Sequence, residues 1–126
     1  MSDNIIVTTG IYDVIKDQLR RKKVTPEQEI RLANELKTAK QVLRRDLPKE
    51  VVTVNRRVLI KDHTASTEKE YIFVPSTKAK PQKNKYSILS DIALATVGYK
   101  VGDIIEWPFI DGDRKIEIIK VEPYEI

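Results

Sequence analysis

The residue types that perform catalysis are sparse in this chain. His63 is its single histidine and cysteine is absent, which excludes thiolate chemistry and cysteine-ligated metals. His63 falls in a polar stretch, residues 62–69, with no acidic cluster at ligand spacing beside it. It reads as an ordinary exposed side chain, neither general base nor metal ligand. A serine nucleophile would need a base and an oxyanion hole, and one isolated histidine does not assemble them. Gly98 and Gly102 lack the further glycines and the Lys-Ser/Thr ending of a phosphate-cradling loop, which leaves them as turn glycines. The expectation is a protein that binds and does not catalyse, with no catalytic residue, no metal and no cofactor.

What the chain does carry is positive charge in two groups. Arg20-Arg21-Lys22-Lys23 places four cations side by side at the end of a predicted helix, where the dipole favours them and an anionic partner would relieve their repulsion. Lys78, Lys80, Lys83 and Lys85 form the second group, in a stretch holding Pro81 and lacking the interleaved aromatics of a base-stacking platform. That stretch reads as a solvated, mobile loop. The 23 basic residues face 19 acidic ones, for a net charge of +4, so the balance permits a nucleic-acid partner without requiring one. Trp107, followed by Pro108-Phe109, reads as a core or core-edge residue.

The elements that position these groups follow from periodicity. Over residues 10–22, Ile11, Val14, Ile15 and Leu19 line one helical face, with Thr8 or Thr9 as cap. Thr25-Pro26-Glu27-Gln28 has the form of a capping box with proline at the first helical position. Leu32, Leu36, Ala39 and Leu43 then recur at seam spacing, with Ile30 near the start, so the second helix is expected to run to Pro48. The short connection predicts an antiparallel coiled-coil hairpin, its first arm about 20 Å and its second about 30 Å long, with Arg20 to Lys23 at the tip. A hairpin that small is marginal alone and is expected to lean on the rest of the chain or on a partner.

After Pro48 the pattern alternates. Residues 51–54, 57–61, 71–74, 104–107 and 115–121 read as strands. Ser90 is expected to cap a short helix over 91–97, closed by Gly98, and Asp111-Gly112-Asp113 signals a hairpin turn. The fold class is α+β: a helical hairpin over 1–48, then an antiparallel sheet domain with one short helix over 49–126. At 126 residues this is one domain with an appendage. The start, Met1-Ser2-Asp3-Asn4, is unlike a signal peptide, and no apolar run approaches the roughly 20 residues of a membrane helix. The expected setting is the cytoplasm, with no membrane contact, and a monomer.

The segment YSILSDIALATVGYKVGDIIEW, residues 86–107, resembles the C-terminal signature of the Gre-type transcription elongation factors, in which a Ser-Pro-Ile helix cap leads through a small apolar helix to Lys-x-Val-Gly-Asp. PKEVVTVNRR, residues 48–57, together with Trp107, is most similar to the related regulators of nucleoside diphosphate kinase, the Rnk proteins. The resemblance implies an FKBP-like C-terminal domain that docks on RNA polymerase at its secondary channel, with the hairpin entering it. In Gre factors acidic residues at the tip of a long hairpin help hold a catalytic magnesium in the polymerase's own site. This chain has a shorter hairpin with Arg20, Arg21, Lys22 and Lys23 at that place, and Glu27 and Glu29 are explained by the helix dipole. The resemblance therefore implies competition with longer factors and no stimulation of cleavage. The Ser-Pro-Ile element carries over as polymerase contacts onto Ser90, Asp91 and Ile92, with Asp91 where the family has proline. Two other readings stand beside this one. A nucleic-acid-binding module, or an indirect nucleic-acid contact, would act through the basic tip and loop. A prolyl isomerase would follow from the FKBP-like fold, although 6% aromatics supply its pocket poorly.

Overall fold

The computed structural model describes residues 4–124; residues 1–3, the start of the segment read above as unlike a signal peptide, and residues 125 and 126 lie outside them. The elements in chain order are β1 (Ile6–Thr8), α1 (Thr9–Arg20), α2 (Pro26–Thr38), β2 (Lys40–Val42), β3 (Arg56–Asp62), β4 (Thr67–Val74), β5 (Lys85–Ser87), α3 (Asp91–Thr96), β6 (Ile104–Phe109) and β7 (Gly112–Pro123).

Local chemistry starts and stops the first two helices. Thr8 is extended and its side chain accepts from the Ile11 amide at 3.3 Å, which caps α1. At the other end the Lys23 amide donates to the Gln18 carbonyl at 3.0 Å and the Lys22 amide to that of Leu19 at 3.1 Å, with Lys22 left-handed at φ 56°. This is a Schellman closure with lysine where glycine is usual, at a cost of about 1 kcal/mol. The capping box of α2 is present. The Gln28 amide donates to Thr25 Oγ1 at 3.1 Å and the Thr25 amide to Gln28 Oε1 at 3.3 Å.

α2 is shorter than its apolar spacing suggests. It ends at Thr38 and not at Pro48, because Ala39 turns extended (φ −63°, ψ 135°) and Lys40–Val42 leaves to pair in parallel with β1. The Lys40 amide bonds the Ile5 carbonyl at 2.8 Å, so the backbone gains a tertiary partner in place of another helical turn. Leu43, placed on the seam by spacing alone, lies beyond the helix and is 56% exposed; Ile30 is 65% exposed. Three-residue strands carry too little alternation to be read from sequence, and β1 and β2 were not expected.

The seams of α1 and α2 face the sheet as well as each other. Ile11, Ile15, Leu32 and Leu36 belong to the same buried cluster as Val58, Phe73, Leu94, Ile105, Trp107 and Ile118. Residues from both sides of Pro48 thus share one core, which is how helices this short are stabilised.

The main sheet has the order β5-β4-β3-β7-β6, antiparallel except for β4 with β5. The stretch read as a strand over 51–54 is irregular: Val51 makes a single bridge to Lys100, and Val51 and Val52 are buried as core plugs. β6 and β7 turn at Ile110 and Asp111, with Gly112 at φ 131°. After α3, Gly98 stands at φ 87° against β1. Its amide donates to the Val52 carbonyl at 2.9 Å and its carbonyl accepts from the Ile6 amide at 3.1 Å. Three segments meet at this glycine.

Candidate partner-binding site

The inner face of α2 carries polar groups among its leucines, and they fasten the helix to the Ser90–Ile92 region. The capping bond to Gln28 Oε1 fixes that amide and leaves Nε2 to donate to Asp91 Oδ1 at 2.8 Å and to the Pro108 carbonyl at 2.9 Å. Trp107 Nε1 donates to the same Asp91 oxygen at 3.1 Å, and the Ile110 amide donates to Asp91 Oδ2 at 3.4 Å. Gln28 is 3% exposed and Trp107 fully buried, so one carboxylate joins α2, α3, β6 and the β6–β7 turn in a shielded setting.

The next turn of α2 adds a second set. Arg31 lies over the Trp107 ring, 5.6 Å from its centroid, donates to the Glu106 carbonyl, and bonds Glu35 through Nε at 3.3 Å. The Tyr99 hydroxyl donates to the same Glu35 carboxylate. Burial pushes the Glu35 carboxyl above the usual range, opposed by the hydrogen bond from Tyr99 and the Arg31 charge. Burial first, and the Glu35 charge second, push Tyr99 up to about 12. Tyr99 therefore holds its proton more tightly folded than unfolded. Its stabilisation is complete below the ordinary tyrosine value of 10 and is lost between pH 10 and about pH 12. Denaturant unfolding at about pH 9 and about pH 11.5 is expected to show the wild-type chain losing roughly 2 kcal/mol more than Tyr99→Phe over that interval. Equal losses would place the alkaline weakness elsewhere.

The three residues assigned by resemblance occupy this junction but do not form one exposed patch. Ser90 has N-cap backbone angles (φ −66°, ψ 159°), yet its Oγ makes no capping bond and is buried without a hydrogen-bond partner. The expected serine cap is thus positional only. Asp91 turns its carboxylate inward, and Ile92 is half-buried against the core.

At the tip, the structure answers the repulsion of four adjacent cations internally. Arg20 and Arg21 both pair with Asp17, the latter at 2.9 Å, and Lys22 pairs with Glu29 at 3.0 Å. The Arg20 hydrogen bond holds the Asp17 carboxyl below the usual range. These pairs are solvent-exposed and individually weak. Their effect is to neutralise half of the tip's charge while leaving it net positive.

Sequence reasoning missed Gln28, Arg31, Glu35 and Tyr99 as a fastening. The available signal was the spacing of Gln28, Arg31 and Glu35 by three and four on the face that carries Leu32 and Leu36.

A family model described as transcription elongation factor, GreA/GreB, C-term, matches residues 47–123. The chain belongs to the GreA/GreB family of transcription elongation factors. Transcription elongation factor GreA of Clostridium botulinum (strain Langeland) is 44% identical over 92 residues, covering 73% of this chain and 58% of that protein. The match thus spans little more than half the length of that relative. GreA of Clostridium botulinum (strain Eklund 17B) is 33% identical over 127 residues, covering 97% of this chain and 79% of that protein. Among solved structures, a prokaryotic transcription elongation factor GreA/GreB from Nitrosomonas europaea superposes with a TM-score of 0.68 at 24% identity, over 96% of this chain and 99% of the other. Thermus aquaticus Gfh1 superposes with a TM-score of 0.51 at 14% identity, again over 96% and 99%. These two likenesses show the fold: the described residues form three α-helices, a two-stranded sheet and a mixed five-stranded sheet, arranged as in GreA/GreB. No helix among the described residues is long and apolar enough to cross a membrane.

Proposed function

We propose that this chain is a transcription regulator that binds RNA polymerase at the secondary channel and does not stimulate transcript cleavage. It acts in the bacterial cytoplasm as a monomeric binding protein and not as an enzyme. Residues 49–126 form the FKBP-like docking domain, and the helical hairpin within 1–48 occupies the channel entrance. The observation that carries the reading is the tip. With α1 of 12 residues and α2 of 13, the arms are each about 20 Å long, and they end on Arg20, Arg21, Lys22 and Lys23. Asp17 and Glu29 are paired with those same cations, and Glu27, exposed and without an ion pair among the described residues, stands in the first turn of α2, where the helix dipole accounts for it. Support of a metal in the polymerase's site requires free carboxylates at the tip. The short arm agrees with the Rnk resemblance over residues 48–57.

Ser90 and Ile92 are the polymerase contacts in this reading, and Asp91 is a positioning residue that sets them through Gln28 and Trp107. Competition with a GreA-type factor for core RNA polymerase tests the proposal. The chain is expected to displace that factor and to slow its cleavage of a backtracked transcript. Cleavage stimulated by this chain itself would overturn the absence of that activity.

A further inference from the structure

The lysine-rich stretch after β4 is built, not loose. Two 3-10 turns, Ser76–Lys78 and Pro81–Lys83, bracket Lys80, and Lys80 and Lys85 exchange both backbone hydrogen bonds, at 2.7 and 3.1 Å. That exchange sets two lysines directly opposite each other, an arrangement that destabilises a bridge unless anions compensate. Among the described residues, none of Lys78, Lys80, Lys83 and Lys85 has an ion pair.

Lys78, Lys80 and Lys85 line a cleft of about 310 Å³ with Tyr124, and no acidic residue is among the described residues that line it. The Tyr124 ring has the Lys85 ammonium 5.7 Å and the Arg57 guanidinium 5.8 Å from its centroid. Arg57, Ile72 and Lys85 are in register across β3, β4 and β5, so the sheet holds both cations on one face. Arg57 also faces Glu70, at 3.7 Å, which bounds the positive surface on that side. No aromatic is interleaved among these lysines along the chain; the fold brings one, Tyr124, from the far end of β7.

We propose that this cleft binds single-stranded RNA, its lysines taking backbone phosphates and Tyr124 stacking on a base. Cations beside a half-buried aromatic ring that lines the same cleft are the combination that tracks single strands without reading sequence. An acidic peptide would use the lysines but gain nothing from the ring face. This inference does not depend on the polymerase reading, and its test contains no polymerase.

The measurement is fluorescence anisotropy of an end-labelled single-stranded RNA of about 12 nucleotides, titrated with the purified chain across a salt series, with a labelled oligoglutamate peptide in a parallel arm. Lys78→Gln, Lys80→Gln and Lys85→Gln combined are expected to weaken RNA binding at least about tenfold and to reduce the salt slope by about 2, at about 0.7 per phosphate contact. Tyr124→Leu is expected to weaken it about tenfold, while Tyr124→Phe keeps it. The combined Arg20→Gln, Arg21→Gln, Lys22→Gln and Lys23→Gln variant is expected to weaken RNA binding less than the triple lysine variant does, through loss of net charge alone. Unchanged binding by the triple lysine variant would overturn the proposal. So would a loss confined to the tip variant, or oligoglutamate binding as tight as RNA and indifferent to Tyr124→Leu.

Discussion

Asp91→Ala is expected to lower unfolding free energy by about 3 kcal/mol, read by urea denaturation. The carboxylate accepts from Gln28 Nε2 and Trp107 Nε1, both in buried side chains, and from the Ile110 amide. Removing it leaves the indole donor without an acceptor and Gln28 with only the Pro108 carbonyl. Each buried orphaned donor costs about 1–3 kcal/mol, more where the lost partner was charged. Asp91→Asn keeps one acceptor oxygen and is expected to cost about half as much. A loss below about 1 kcal/mol for the alanine variant would mean that Asp91 is a surface contact, as its place in the family motif alone implies, and that the fastening of α2 lies elsewhere.

Gly98→Ala is expected to cost about 3 kcal/mol in the same assay. At φ 87° a side chain is strained in any surroundings, and the added carbon would meet Ile5 Cβ at 2.7 Å and Val7 Cγ1 at 3.1 Å. Ile5 is held by its backbone bond to Lys40 and cannot swing aside as a flexible side-chain end would. Gly102→Ala separates the two causes. It has φ 93° with nothing within 4 Å of an added carbon, so it is expected to cost about 1 kcal/mol, the backbone share alone. Equal losses at the two glycines would show that the approach of β1 to Gly98 is looser than described.

What the sequence revealed and concealed divides along physical lines. Thr25-Pro26-Glu27-Gln28, the apolar face of Ile11 and Ile15 and the glycine after α3 are local devices, and each is where the residues place it; the β6–β7 turn is present but sits at Ile110 and Asp111, with Gly112 and Asp113 already paired in β7. The end of α2 is not local. Ala39 and Leu43 continue the helical spacing, and only pairing with β1, a segment more than thirty residues earlier, diverts the chain at Lys40. The candidate site splits the same way. Ser90 to Ile92 could be located by motif, but the inward turn of Asp91 depends on Gln28 and Trp107, which no spacing rule connects. The lysine stretch looked free of aromatics because Tyr124 reaches it through the sheet and not along the chain. At the tip the four cations were legible, while their pairing required the turn that brings Glu29 back to Lys22.

The most direct test of the polymerase reading is the affinity of the purified chain for core RNA polymerase, measured at low salt with and without a GreA-type competitor, and followed on a backtracked complex. Saturable binding that the competitor displaces is expected, with no increase in transcript cleavage. Absence of binding at low salt would contradict it and leave a GreA/GreB fold whose partner is something other than the polymerase.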